Sequence, residues 1–164
     1  MSTLAATCLL EEYDVPDALV LGIGNLARRD DGLGWAFVDW LESSRWCRRT
    51  ELVRCYQLHL EDAELLSRKR RVLVVDATRD PTVASYRIDR PEPRLESTFT
   101  SHALSIPSVL ATTLHCFGTL PDVRVLAIRG HAWNLATGLS ARAARHLAEA
   151  VAAVTAPTIP THEG

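Results

Sequence analysis

An uninterrupted apolar run, RVLVVD at residues 71–76, constrains the fold of this chain more than any other feature. Leucine and β-branched side chains without polar alternation are typical of a strand buried on both faces, as in parallel sheets covered by helices. Comparable runs at 18–24, 52–58 and 123–128 predict further strands, and the alternating segment 84–89 predicts an edge strand. The sequence therefore predicts an α/β fold with a mostly parallel sheet.

Helical segments separate these predicted strands. Leu33, Ala36, Phe37, Trp40 and Leu41 follow the spacing of a helix with one buried face. Three more helices are predicted at 61–68, from Ser105 to Phe117 before Gly118, and from Ser140 to about Val154. With 164 residues and this strand–helix alternation, residues 1–164 are expected to form one domain, with mobile ends at 1–17 and 156–164.

The composition excludes several classes of partner. The formal net charge is −2 and there is no long basic run, so a nucleic-acid surface is not expected. No apolar run approaches membrane-spanning length, and the N-terminus lacks the features of a signal peptide. The four cysteines contain no C-x-x-C pair, which argues against a zinc knuckle or a redox motif. We expect a reduced cytoplasmic protein that binds neither nucleic acid nor membrane.

A glycine-rich turn follows the first predicted strand. GIGNLA at 22–27 fits the G-x-G-x-x-G/A pattern of dinucleotide-binding loops. However, Asp30 and Asp31 lie where the pyrophosphate would bind, at the start of the next helix, and would repel it. The second strand also lacks the acidic residue that binds ribose, since it ends in Gln57-Leu58-His59. A small dinucleotide-binding protein therefore remains an alternative, but a disfavoured one.

Three polar residues are predicted to gather at the carboxyl edge of the sheet. Asp31 follows the first strand, Asp76 ends the third, and His102 precedes the helix that starts near Ser105. Ligands bind at this edge in open α/β sheets. Two carboxylates and an imidazole suit a divalent transition metal, and three protein ligands would leave positions open for water or substrate. Each residue also has a structural interpretation, such as a turn cap or a loop hydrogen bond.

Four segments resemble the maturation endopeptidases of nickel-iron hydrogenases. They are GIGNLARRDDGLG at 22–34, VLVVDA at 72–77, SHALSIPSVL at 101–110 and IRGHAWNLATGLS at 128–140. The resemblance implies a three-layer α/β/α sandwich around about five strands. It also implies removal of the C-terminal extension from a hydrogenase large-subunit precursor after nickel has been inserted. The nickel would be supplied by that precursor.

The resemblance also assigns roles to individual residues. Asp31, Asp76 and His102 match the metal-contacting positions of the family, and Asp31 or Asp76 could act as a general base in an aspartyl-type endopeptidase. Secondary candidates are Gly24, Asn25, Asp30, Gln57, His59 and His131. Many members have a glycine-rich acidic turn after the second strand, whereas this chain has the glycine-free segment CYQLHLED at 55–62, which resembles a Gln-Leu variant in one branch.

No covalent intermediate is expected. There is no G-x-S-x-G nucleophile elbow, and no cysteine has an activating partner nearby in sequence. The main alternative to a protease is an adaptor or chaperone that holds the precursor without cutting it, since the same three ligands would serve that role.

Overall fold

The structure, a computed structural model, describes residues 6–96 and 104–158. Its centre is a five-stranded sheet in the order β2-β1-β3-β5-β4. The strands are β1 (Ala18–Ile23), β2 (Glu51–Cys55), β3 (Arg71–Thr78), β4 (Tyr86–Asp89) and β5 (Asp122–Arg129). All pairings are parallel except that of β4, which runs antiparallel to β5 at the edge. The predicted mostly parallel sheet and its edge strand are confirmed.

Helices cover both faces of the sheet. They are α1 (Leu33–Ser43), α2 (Asp62–Ser67), α3 (Ile106–Phe117) and α4 (Ala141–Thr155). Leu73 and Val75 of β3 pack in one core with α1 and α4, whereas Val72 and Val74 pack in a second core with α2 and α3. This explains the absence of polar alternation in β3, because each face of the strand is buried against helices. The three-layer α/β/α architecture is confirmed.

Local signals set the helix ends as the sequence predicts. Ser105 caps α3 by accepting a hydrogen bond from the Ser108 backbone N–H at 3.2 Å, and Gly118 ends it with a φ of 69°. Ser140 caps α4 in the same way through the N–H of Ala143. No helix within the described residues is long and apolar enough to cross a membrane.

The expectation of loosely held ends is wrong where the structure describes them. Residues Leu9–Tyr13 form a 3-10 helix, and Leu10 and Tyr13 are fully buried in the core shared with α1 and α4. At the other end, the Thr158 N–H donates to the Thr7 carbonyl at 2.9 Å. The apolar side chains of the N-terminal segment supply the burial energy that holds it in place. Residues 1–5 and 159–164 lie outside the description.

The strand order places a crevice between β1 and β3. The chain leaves β1 through α1 on one face towards β2, and it leaves β3 in the opposite direction, towards β4 and β5, with α3 on the other face. The connections after neighbouring strands therefore diverge, and such a switch point opens a crevice beyond the carboxyl ends of the strands. The second strand ends at Cys55, three residues earlier than predicted, so Tyr56, Gln57 and Leu58 belong to a loop at this same edge.

Candidate active site

Two carboxylates meet at the crevice. Asp31 lies in a 3-10 turn, Arg29–Gly32, between β1 and α1, and its side chain is partly exposed. Asp76 lies near the carboxyl end of β3, opposite Ala127 of β5, and is partly buried. The two are close enough for the charge of Asp31 to act on Asp76. The structure thus brings together two of the three residues predicted as metal ligands.

Asp76 is poorly compensated for its burial. Burial raises its pKa to about 7, and the nearby Asp31 carboxylate adds to this effect. Among the described residues, the opposing contact is the N–H of Ala77, which donates to Asp76 Oδ1 at 2.8 Å. Within the described part of the chain, Oδ2 accepts no hydrogen bond. A bound cation or a proton would therefore stabilise this site, and a carboxylate with such a pKa can exchange protons near neutrality.

Asp30, next to Asp31, has the opposite environment. It is fully buried, yet its two oxygens accept four hydrogen bonds, each 2.7 Å long. The donors are the backbone N–H groups of His131, Ala132 and Ser140 and the Ser140 hydroxyl. Burial alone would raise its pKa, but these hydrogen bonds together hold the pKa below its usual value. Asp30 therefore ties the β1–α1 turn to the loop after β5.

Gly24 allows the turn that presents Asp31. Its φ is 147°, and a Cβ at this position would lie 1.8 Å from the Asp31 carbonyl oxygen. The backbone N–H of Asn25 donates to that same carbonyl at 3.1 Å, which closes the loop. The Asn25 side chain accepts from the N–H of Ala27 at 2.9 Å, an Asx turn. Gly24 and Asn25 thus shape the backbone around Asp31, and the close approach requires a glycine.

The remaining secondary candidates lie in the loops around the crevice. Gln57 is partly buried in the loop after β2, and His59 is exposed, with its backbone N–H bonded to Asp62. The ring of His131 packs against His146, with ring centres 5.1 Å apart. Burial lowers the pKa of His131, and the positive charges of Arg142 and Arg129 add to this. The contribution of His131 to the crevice is its backbone N–H, which supports Asp30.

His102 lies outside the described residues. The first described residue after that gap, Leu104, donates its N–H to the Leu58 carbonyl at 3.0 Å. Within residues 6–96 and 104–158, no group of three or more histidine, cysteine or acidic side chains is arranged to hold a metal ion. Asp31 and Asp76 are therefore the two possible ligands that the structure describes at the crevice, and the role of His102 stays a prediction.

Cys55, at the end of β2, lies close enough to Asp76 for the charge of that carboxylate to act on its thiol. Burial raises the pKa of its thiol to about 11, and the charges of Asp62 and Asp76 contribute. A thiol with such a pKa is protonated at neutral pH and is a poor nucleophile. This agrees with the expectation that no covalent cysteine intermediate forms.

Sequence reasoning missed the role of Ser140 at this site. Ser140 was predicted only as the cap of the last helix, but its hydroxyl and backbone N–H both bind Asp30, 110 residues earlier in the chain. A serine before a helix is a visible capping signal. Its pairing with a distant carboxylate depends on the tertiary fold.

No protein-family model matches the chain, and no curated protein sequence matches it. Solved structures do match. The hydrogenase-maturating endopeptidase HybD from E. coli has a TM-score of 0.65 and 20% identity, over 82% of this chain and 86% of that one. The chain shares the fold of the hydrogenase maturation proteases.

Two further matches come from archaea. The nickel-iron hydrogenase maturation protease HycI from Thermococcus kodakarensis KOD1 has a TM-score of 0.66 and 18% identity, over 85% of this chain and 92% of that one. The hydrogenase 2 maturation peptidase from Thaumarchaeota archaeon SCGC_AB-539-E09 has a TM-score of 0.55 and 22% identity, over 82% and 92%. At these identities the comparison establishes the fold, and function must be argued from the site.

Proposed function

We propose that this protein is an endopeptidase that removes the C-terminal extension of a nickel-iron hydrogenase large-subunit precursor after nickel insertion. The observation that carries the proposal is the Asp31–Asp76 pair in the crevice between β1 and β3. The pair lies in a fold shared with several maturation proteases. Three of the segments that resemble this family, at 22–34, 72–77 and 128–140, line the same edge of the sheet.

The metal in this proposal belongs to the substrate. The pKa of Asp76 is raised first by burial and then by the nearby Asp31 carboxylate, and the negative charge of such a pair favours a cation. Carboxylate oxygens are suitable ligands for a divalent metal, and an imidazole from His102 would complete a set with open positions. Nickel already held by the precursor can occupy these positions, which makes cleavage depend on metal loading.

Two roles of the pair explain cleavage. Nickel bound by both proteins would hold the scissile peptide against the crevice and act as a template for its orientation. The two roles exclude one another on the same atom, because a bound cation would lower the pKa of Asp76. Where Asp76 does not contact the metal, its pKa of about 7 suits a general base that takes a proton from the attacking water. The same carboxyl group can then return the proton to the leaving amine. The products are a free carboxylate on the mature subunit and a free amine on the released peptide.

The surroundings of the crevice suit a protein substrate. Large apolar side chains are exposed on the loops after β1, β2 and β5: Leu26 at 45%, Tyr56 at 66%, Leu60 at 62% and Leu135 at 83%. We call these four residues the apolar rim. Exposed apolar residues surrounded by polar ones are typical of protein-binding surfaces. The rim thus supports a folded precursor, rather than a free metal ion, as the partner.

The test is a processing assay on purified precursor. Nickel-loaded and nickel-free precursor are incubated with the protein, and intact mass is measured over time. Loss of the C-terminal peptide only from the loaded precursor is the expected result. A stable complex with the precursor mass unchanged would show that the protein is a non-cleaving adaptor. Cleavage of both forms at equal rates would refute the dependence on nickel.

A further inference from the structure

Arg79 and Trp133 form a stacked pair at the same edge of the sheet as the two carboxylates. The Arg79 guanidinium carbon lies 4.2 Å from the centre of the Trp133 ring. The pairing follows from strand register, since Thr78 of β3 lies opposite Arg129 of β5. The Gly130 N–H then bonds to the Thr78 carbonyl at 3.1 Å, so the residues that follow both strands are neighbours.

The loop after β5 holds Trp133 firmly. A Cβ on Gly130 would come within 2.8 Å of the Trp133 ring and within 2.9 Å of the Asp30 Cβ. The indole therefore packs directly on a glycine that leaves no room for a side chain. The preceding residue, Ala132, donates its N–H to Asp30 and accepts from the Asp30 N–H. Asp30 thus positions Trp133 as well as the turn that carries Asp31.

Arg79 has a fixed position but no acidic partner in the described part of the chain. It is exposed, and none of the ion pairs or side-chain hydrogen bonds found there involves its guanidinium. Arg87, by comparison, pairs with Asp80 and Asp89. Arg48 and Arg142 are also exposed without an ion pair among the described residues, so the position of Arg79 over Trp133 at this edge of the sheet is what distinguishes it. Stacking uses the face of a guanidinium and leaves its N–H donors free at the edge, in a fork that matches a carboxylate.

We propose that Arg79, held by Trp133, binds a carboxylate of the precursor's C-terminal extension and so contributes to substrate specificity. The inference rests on the proposed endopeptidase function. Arg79 follows directly after β3, three residues beyond Asp76, and the loop of Trp133 is bonded to Asp30 beside Asp31. The stacked pair therefore lies at the same edge of the sheet as the two carboxylates. The carboxylate can be the terminus of the extension or an acidic side chain within it.

The test compares Arg79→Met and Arg79→Lys with the unmodified protein on nickel-loaded precursor. An exposed charge-assisted hydrogen bond predicts that Arg79→Met raises KM roughly tenfold with little change in kcat. Arg79→Lys should recover only part of the loss, because lysine lacks the fork. Arg68→Met serves as the matched control, since Arg68 is exposed at the C-terminus of α2. An unchanged KM in Arg79→Met overturns the inference.

Substrate variants identify the source of the carboxylate. A precursor with an amidated C-terminus is compared with one whose extension has its acidic side chains changed to amides. The effect of Arg79→Met should vanish on whichever variant has lost the bound carboxylate. If its effect is the same on both variants and on the original precursor, Arg79 does not bind a carboxylate of the extension.

The role of Trp133 is tested by a double-mutant cycle. Trp133→Ala and Arg79→Met should be strongly non-additive in KM, whereas Trp133→Phe should keep most of the effect of Arg79. Additive losses would show that the stack does not position the guanidinium.

A binding measurement separates this inference from the proposed function. Fluorescence anisotropy of a labelled synthetic extension peptide is measured with the intact protein, without cleavage. Weaker binding of the peptide to Arg79→Met than to the unmodified protein supports the inference even if no precursor is cut. Equal binding refutes it, and failure of the unmodified protein to cut loaded precursor refutes the function alone.

Discussion

Asp30 and Asp76 are both withdrawn from bulk solvent at the same edge of the sheet, but their surroundings give them opposite properties. Four hydrogen bonds of 2.7 Å converge on Asp30. Asp76 accepts one, from the N–H of its own neighbour Ala77, and it faces the charge of Asp31. The pKa of Asp30 is accordingly lowered, whereas that of Asp76 is raised to about 7.

The difference shows that local donors, rather than burial alone, decide what a carboxylate does. Asp30 is satisfied by the loop after β5, so its charge stabilises the fold and holds that loop in place. Asp76 has an unmet requirement for a cation or a proton, which is the property expected of a reactive group. Asp30 therefore stabilises the loops at this edge of the sheet, and Asp76 is the carboxylate to which the proposed function assigns the chemistry.

The largest expected effect is on activity. Asp31→Asn, Asp76→Asn and His102→Ala should each lower processing of nickel-loaded precursor by roughly a thousandfold, because each removes a proposed metal contact. The rates are measured by intact mass, and circular dichroism checks folding. Asp39→Asn is the matched control, since Asp39 is an exposed acid on α1 that pairs with Arg54. Full activity in Asp76→Asn and His102→Ala would contradict the proposal that these residues contact the metal of the precursor.

The second effect is on stability and concerns Asp30. Asp30→Ala leaves three backbone donors and the Ser140 hydroxyl without their partner, and should lower the free energy of unfolding by about 3 kcal/mol. Asp30→Asn should cost less, because its amide oxygen still accepts. The measurement is urea denaturation at pH 8. A change below about 0.5 kcal/mol, the size usual for surface substitutions, would contradict the structural role of Asp30.

In contrast to Asp30→Ala, the substitution Asp76→Asn should raise the free energy of unfolding at alkaline pH. In the folded protein Asp76 keeps its proton up to a pH of about 7, whereas in the unfolded chain it loses the proton near 3.8, the pKa of an unperturbed aspartate. The contribution of Asp76 to stability is therefore lost as the pH rises from about 4 to 7. Asparagine removes this penalty, so the variant should gain up to about 4 kcal/mol over the unmodified protein at pH 8, since each pKa unit is worth about 1.4 kcal/mol.

The same variant should gain only about 1 kcal/mol at pH 4.5, because the folded protein keeps Asp76 protonated there and the unfolded chain has only begun to favour the carboxylate. Urea denaturation across this pH range measures the difference. A loss of stability at pH 8 would mean that Asp76 makes a favourable contact as a carboxylate, and that the contrast with Asp30 does not hold.

The smallest effect concerns the apolar rim. Tyr56 also packs against Trp35 of α1, with ring centres 5.2 Å apart. Tyr56→Ser and Leu135→Ser should each raise KM for the precursor roughly threefold to tenfold, because they remove apolar contact area outside the reacting centre. Ile88→Ser is the control, since Ile88 is exposed at 38% on the edge strand β4. Equal effects of the three substitutions would exclude the rim as the docking surface.

The sequence predicts the fold well because its signals are local. The unbroken run in β3, the serine caps at Ser105 and Ser140, and Gly118 each act within a few residues. The packing of the N-terminal segment, which the sequence predicts to be mobile, is not predicted because the burial of Leu10 and Tyr13 depends on the distant helices α1 and α4. Nothing within residues 1–17 indicates that partner.

The site divides in the same way. The position of Asp31 and Asp76 at one edge of the sheet follows from parallel strands alternating with helices, which the sequence predicts, whereas the strand order itself comes from the structure. The different roles of Asp30 and Asp31 cannot be predicted from the sequence, because the hydrogen-bond donors to Asp30 come from residues 131–140. Adjacent aspartates look alike in sequence, and only the fold shows which one is neutralised by hydrogen bonds.

The most direct test of this contrast is a carbon-13 NMR titration of the aspartate carboxyl groups in the metal-free protein. The account predicts that Asp76 titrates with a pKa near 7, that this value falls in Asp31→Asn, and that Asp30 titrates below 3.8, the pKa of an unperturbed aspartate. Titration of Asp30 and Asp76 together near 4, with no response to Asp31→Asn, would contradict it.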